Sequence, residues 1–191
     1  MNIFVTGSCG FIGSHLVEHL IKKGLNVKAL VHYNSEGSIG WLRDLDKKIL
    51  SECEVIHGDI RDENFMINNT RNIDVLVNLA ALISIPYSYI APKSFLDTNL
   101  YGTLNILNSA KKNNISHTII TSTSEVYGTA QYVPIDESHP INPQSPYAAS
   151  KSAADNLSKS FVRSYDLPVT ILRPFNNYGP RQSARAVIPN I

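Results

Sequence analysis

Apolar positions along the chain fall into short runs separated by longer stretches with helical spacing. Residues 3–6, 27–31, 54–57, 73–79, 118–121 and 169–172 read as six strands rich in Val, Ile and Leu. Helical spacing predicts helices over 11–23, 94–113 and 146–165. In the first, Lys22 and Lys23 precede Gly24, placing cations at the negative end and glycine as the stop. In the second, Leu96, Leu100, Leu104 and Leu107 form one stripe. In the third, Ser145 and Pro146 make an N-cap and first-position pair. Trp41 and Leu42 fall on a short helix, and residues 128–144 read as loop. Strands apolar on both faces and alternating with helices form a parallel sheet. Right-handed crossovers make it doubly wound, so the expected fold is α/β, a Rossmann sheet.

Composition narrows the class. The chain has 191 residues, 43% hydrophobic and 17% charged, enough for one real core. Its formal net charge of +1 argues against a nucleic-acid partner, which calls for a strongly basic surface. Two cysteines, Cys9 and Cys53, make neither a disulfide framework nor a four-ligand zinc site, and no metal is expected. The start lacks a signal peptide, and no run approaches the ~20 apolar residues of a membrane span. The expectation is a cytoplasmic protein with no membrane partner.

Gly7, Gly10 and Gly13 follow the first strand and open the first helix. A glycine there permits a tight turn, close approach to a pyrophosphate and close packing of helix on strand. The helix N-terminus then offers free N–H groups to the phosphates. Strand, loop and helix stand in the order the motif requires. An acidic residue at the end of strand two would select NAD, and an arginine NADP. Val31, His32, Tyr33 and Asn34 stand there instead, so these residues do not choose between NAD and NADP, with His32 or Ser35 able to touch a hydroxyl or a 2′-phosphate. Asp59 is placed to bond the adenine amino group, or else to cap a turn.

Tyr147 and Lys151 lie four apart on one helix face. A lysine cation within reach favours phenolate and lowers the tyrosine pKa. Ser122, Thr123, Ser124 and Glu125 follow strand five, beyond a carboxyl edge where such sheets bind ligands. Hydroxyls suffice for hydride transfer; a carboxylate adds a second proton-transfer task, unless Glu125 is merely a surface residue. The spacing His15-x-x-Glu18-His19 matches a zinc-protease pattern, but it sits on the phosphate-loop helix without a third ligand and is discounted. His57, His117 and His139 are read as structural, the two cysteines as packing residues, and the three glycosylation sequons as meaningless without a secretory signal.

Taken jointly, residues 5–16, 58–60, 78–81, 122–128, Tyr147 with Lys151, and 173–180 resemble the extended short-chain dehydrogenases, the NAD-dependent epimerase/dehydratase family. Within it, residues 29–42, 82–89 and 179–188 look most like UDP-N-acetylglucosamine 4,6-dehydratases of the legionaminic-acid type. The resemblance implies a nucleotide-sugar 4,6-dehydratase working through a transient 4-keto sugar. Tyr147 takes the 4-hydroxyl proton, Thr123 bonds O4, Glu125 removes the C5 proton, and Lys151 holds the nicotinamide ribose. Ser124 stands where many relatives carry an aspartate acid. The implied cofactor set is Gly7, Gly10, Phe11, Ile12, Gly13, His32, Asp59, Ile60, Leu79, Ala80, Ala81, Asn99, Lys151 and Pro174, with Asn99 supporting the active-site backbone. Ser84, Asn176, Asn177 and Arg181 are the implied substrate residues, toward a UDP-linked sugar. Helices 94–113 and 146–165 would pair in a homodimer. UDP-sugar 4-epimerase and UDP-glucuronate decarboxylase remain alternatives, the first weakened by Glu125. The resemblance implies a dinucleotide-binding Rossmann domain over 1–175 and the start of a substrate-binding region over 176–191. Family members run to roughly 300 residues, so the chain is expected to lack most of a substrate domain and to be inactive alone; a silent dinucleotide-binding fragment is the reading from another class.

Overall fold

The computed structural model describes residues 1–183; the remaining residues of the expected substrate region, including part of 179–188, lie outside the described residues. Six strands, β1 (Asn2–Thr6), β2 (Asn26–His32), β3 (Cys53–Gly58), β4 (Val75–Asn78), β5 (His117–Thr121) and β6 (Val169–Leu172), form one sheet in the order β3-β2-β1-β4-β5-β6. Every pairing is parallel. The doubly wound expectation holds. The order reverses between β1 and β4, which opens a crevice at their carboxyl ends.

Side chains alternate between two apolar layers. Phe4, Leu30, Leu76 and Ile120 point to a layer completed by Met66 of α3 (Glu63–Asn69), Ile106 and Leu107 of α6 (Gly102–Lys112), and Phe161 of α7 (Pro146–Tyr165). Ile3, Val5, Val27, Ala29, Val31 and Val77 point to the other, completed by Val17 and Ile21 of α1 (Phe11–Lys22) and by Leu42 and Leu45. The strands are apolar on both faces because both faces are covered.

Short elements escape the helical pattern. Gly40–Asp44 forms a single 3₁₀ turn around Trp41 and Leu42. The helices α2 (Lys47–Ser51) and α3 are each started by an aspartate, Asp46 and Asp62, whose carboxylate accepts a backbone N–H. Helix α4 (Ile85–Ile90) starts at Ser84, with Pro86 in its first turn. These segments are too short to show a helical period. The expected helix over 94–113 is three pieces: α5 (Pro92–Phe95), a π-helical segment Leu96–Tyr101, and α6. The π segment carries buried Asn99, whose Oδ1 accepts the Leu82 N–H and whose Nδ2 donates to the Leu82 carbonyl and Ser150 Oγ, each at 2.9 Å. Those bonds join the loop after β4 to α7.

At the crevice, buried Thr6 donates to Asn78 Oδ1 at 2.6 Å and accepts the Ala80 N–H at 3.1 Å. One hydroxyl thus holds the diverging ends of β1 and β4 together. Thr6→Val keeps the shape and removes both bonds, leaving the buried Asn78 amide oxygen and the Ala80 N–H unsatisfied. The expected loss is about 1–3 kcal/mol in denaturant unfolding; an unchanged midpoint would contradict this role.

Candidate active site

The glycine turn is built by contact. Gly7 has φ +64, and a Cβ there would press on the Ala80 amide. A Cβ on Gly13 would overlap the Gly7 carbonyl oxygen, so α1 can lie against the turn only with glycine there. Helix α1 starts at Gly10 with no side-chain cap and no acidic residue in its first turn. Its leading N–H groups face the crevice without a competing carboxylate, which fits a pyrophosphate.

A cleft of about 1600 Å³ runs from this turn across the carboxyl ends of the strands. It is lined by Gly7, Gly10, Phe11, Ile12 and Gly13 at one side, and by Leu79, Ala80, Ala81 and Ser84 after β4. Thr123, Ser124, Glu125, Tyr147, Lys151, Pro174, Asn176, Asn177 and Arg181 line the other side. His32, Asp59 and Ile60 close its far end. One expected residue, Asn99, is not among the lining residues and serves as the brace described above.

At the far end Asp59 accepts the Arg61 N–H at 2.8 Å and pairs with the Arg61 guanidinium. Burial would raise its pKa, but the Arg61 bonds and charge outweigh this and hold the carboxyl below its ordinary range. Exposed His32 sits 3.7 Å from the same carboxylate. The turn-cap reading of Asp59 holds, and its side chain also lines the cleft. Arg43, Arg61, Ser38 and Trp41 line this end too and were missed. Trp41 is brought in by its N–H, which donates to the Cys9 carbonyl at 3.0 Å. Their only sequence signal is position after the second and third strands.

Thr123 caps the 3₁₀ turn Ser124–Tyr127, its hydroxyl accepting the Glu125 N–H at 3.2 Å. The cap leaves Glu125 exposed to the cleft beside Tyr147, whose ring packs edge-on against Phe95 at 6.2 Å. Lys151 is 3% exposed, and its Nζ donates to the Thr121 carbonyl at 2.6 Å. Burial pushes its pKa down to about 8, against the pull of Asp155. The phenol departs from expectation. Burial, joined by the Glu125 charge, raises the Tyr147 pKa above its ordinary value, and contact with the Thr123 hydroxyl offsets only part. The lysine proton is bonded to a backbone carbonyl, and the phenol is desolvated.

Ser84 reaches the Tyr87 N–H at 3.4 Å as the cap of α4. Asn177 Nδ2 donates to the Phe175 carbonyl at 2.7 Å. Arg181 pairs with Glu18 of α1 at 2.8 Å, and His15 bonds the Pro180 carbonyl at 3.0 Å. His15 and Glu18 of the discounted pattern thus dock the segment after β6 onto α1. Arg173 and Asp155, missed in the sequence, pair at 2.9 Å behind the cleft.

The depressed lysine predicts a pH-dependent cost. With a folded pKa of about 8 against an ordinary 10.5, the folded state binds protons less tightly than the unfolded chain. The penalty is complete below pH 8 and vanishes as pH rises through 10.5. Lys151→Met is expected to be more stable than the parent near pH 7, by on the order of 3 kcal/mol, with the gap closing toward pH 10.5. Thermal unfolding across pH checks this; a gap that widens with pH would contradict it.

Comparison with known proteins agrees with this geometry. A family model, GDP-mannose 4,6 dehydratase, matches residues 4–191. A dTDP-glucose 4,6-dehydratase of Actinoplanes sp. is 35% identical over 99% of this chain and 61% of its own length. The low-salt glycan biosynthesis protein Agl12 of Haloferax volcanii is 34% identical over 99% and 61%. Among solved structures, the dTDP-glucose 4,6-dehydratase DesIV of Streptomyces venezuelae, with NAD bound, covers the whole chain and 60% of its own, at 35% identity and TM-score 0.91. A UDP-N-acetylglucosamine 4-epimerase of Methanobrevibacter ruminantium covers 97% and 58%, at 35% identity and TM-score 0.88. The chain thus spans about three-fifths of the length of these relatives. With its glycine turn, its Tyr147–Lys151 pair and its carboxylate-bearing turn at one cleft, the chain belongs to the GDP-mannose 4,6 dehydratase family, within the epimerases and dehydratases of nucleotide sugars.

Proposed function

We propose that this chain is the cofactor-binding part of a nucleotide-sugar 4,6-dehydratase acting on a UDP-N-acetylhexosamine. The observation that carries the reaction class is Glu125, exposed to the cleft two residues beyond Thr123 and close enough to Tyr147 for its charge to act on the phenol. Oxidation at C4 needs one base; removal of the C5 proton needs a second. Tyr147 and Glu125 are the two.

NAD is the cofactor this reading takes, as in the related structures solved with NAD. It would rest its pyrophosphate on Gly10 and Gly13, its adenosine end between His32, Asp59 and Ile60, and its nicotinamide end near Lys151. Bound there, it supplies a reversible hydride acceptor, so oxidation at C4 and reduction at C6 close without net redox change. Its positive ring also favours the phenolate that burial disfavours.

The residues then divide the proton work. Thr123 holds O4 while Tyr147 takes the 4-hydroxyl proton. The resulting carbonyl acidifies C5, and Glu125 removes that proton as water leaves C6. Ser124, next to Glu125, offers a hydroxyl rather than a carboxyl to the departing oxygen. Ser84, Asn176, Asn177 and Arg181 stand on the rim toward the nucleotide-sugar. The UDP-N-acetylhexosamine choice rests on residues 29–42 and 82–89, which contribute His32, Trp41 and Ser84 to the cleft. A homodimer through α6 and α7 belongs to the same reading.

Incubation of the full-length gene product with UDP-N-acetylglucosamine and catalytic NAD is expected to yield a sugar nucleotide lighter by one water. Glu125→Gln is expected to slow this by 10²–10⁴-fold, the usual span for loss of a general base. Dehydration of dTDP-glucose alone would refute the sugar choice. An epimer of unchanged mass would refute the dehydratase reading.

A further inference from the structure

The reacting groups lie on separate segments: Tyr147 and Lys151 on α7, Glu125 on the turn after β5. One buried cluster behind the cleft joins them. Arg173, the residue after β6, donates from Nε to Asp155 Oδ2 at 2.9 Å and from Nη1 to Tyr127 Oη at 3.0 Å. Its guanidinium also lies over the Tyr127 ring, 5.1 Å from the centroid. The Arg173 and Asp155 side chains are 12% and 3% exposed. Tyr127 closes the turn that carries Glu125. The next residue, Pro174, accepts the Ser124 N–H at 3.1 Å. Asp155 is one helical turn beyond Lys151 and so shares its face.

Asp155 Oδ1 is buried without a hydrogen-bond partner among the described residues. A buried carboxylate with a spare oxygen is costly unless its charge is used. Lys151 nearby is a fully buried cation whose hydrogen bond reaches only a neutral carbonyl, Thr121. We propose that Asp155, clamped by Arg173, is a positioning residue that keeps Lys151 charged and locks the Glu125 turn against the catalytic helix. This rests on the Tyr147–Lys151–Glu125 reading of the site.

The balance of charge is specific. The titratable groups around Lys151 are Tyr147 and Asp155 from its own helix. Glu125 acts from the turn, through Tyr147. Arg173 acts from the end of β6, through Asp155. From β5 the Thr121 carbonyl accepts the Lys151 bond, His117 on that strand bonds Thr170 instead, and the π segment offers neutral Asn99 through Ser150. Of these, Asp155 is the charge that favours the ammonium, as the direction of its effect on Lys151 agrees. Arg173 pairs with Asp155 and takes up part of its charge, so the pull of Asp155 on the Lys151 ammonium is moderated rather than full.

The test titrates Lys151 directly in this chain, with ε-¹³C-labelled lysine followed by NMR from pH 6 to 10.5 and the Lys151 signal assigned by Lys151→Arg. Asp155→Asn, which retains an oxygen for Arg173, is expected to lower the Lys151 midpoint by about one pH unit or more. Asp155→Glu is expected to restore it. A merely structural role predicts the reverse, because loosened packing admits water and moves the midpoint up toward that of a free lysine. An unchanged or raised midpoint in Asp155→Asn overturns the proposal. If that variant fails to fold, Arg173→Gln decides: freeing the carboxylate is expected to raise the midpoint, and no rise overturns the proposal. No sugar is involved, so the outcome is separate from that of the dehydration assay.

Discussion

The architecture depends on one close approach. The start of α1 lies against the turn after β1, and that turn lies against the backbone after β4, with no room for a side chain at Gly13 or Gly7. This contact brings an uncapped helix N-terminus to the place where the strand order reverses. Anion binding there needs no charged side chain, because the backbone supplies the donors. The remaining groups of the cleft are arranged around that fixed point by the sheet register.

Polar bonds then set what the sheet alone leaves loose. Thr6 holds the ends of β1 and β4 at the crevice, and Asn99 ties the loop after β4 to α7. Arg173 ties that helix to the turn bearing Glu125. All three braces are buried or nearly so, where a hydrogen bond lost is not replaced by water. The result is a braced rear wall and an open front, with Ile83, Ile90 and Phe175 exposed along the cleft.

Much of this was legible in the sequence, for identifiable reasons. Six strands and the long helix α7 were readable because burial on both sheet faces and a Ser-Pro start leave strong local signals. The glycine turn and the Tyr147–Lys151 pair were readable because spacing carries their chemistry. The π segment was not, since the leucine stripe over 96–107 continues through it while the backbone gains a residue per turn. Nor were α3 and α4, whose caps are clear but whose length hides any period. The Arg173–Asp155–Tyr127 cluster joins residues 46 and 18 positions apart, and distance in sequence conceals it. The phenol pKa was misjudged because helix spacing puts Lys151 near Tyr147 but does not reveal how deeply the phenol is buried or that Glu125 faces it.

The proposed reaction requires one cleft to carry both oxidation at C4 and elimination across C5 and C6. The most direct measurement follows a label. UDP-N-acetylglucosamine deuterated at C4 is given to the full-length protein with catalytic NAD, and the product is read by NMR and mass. The account predicts a 4-keto-6-deoxy sugar with the deuterium at C6, transferred within one active site. Deuterium found at C4 of an epimerised sugar, or lost to solvent, would contradict it.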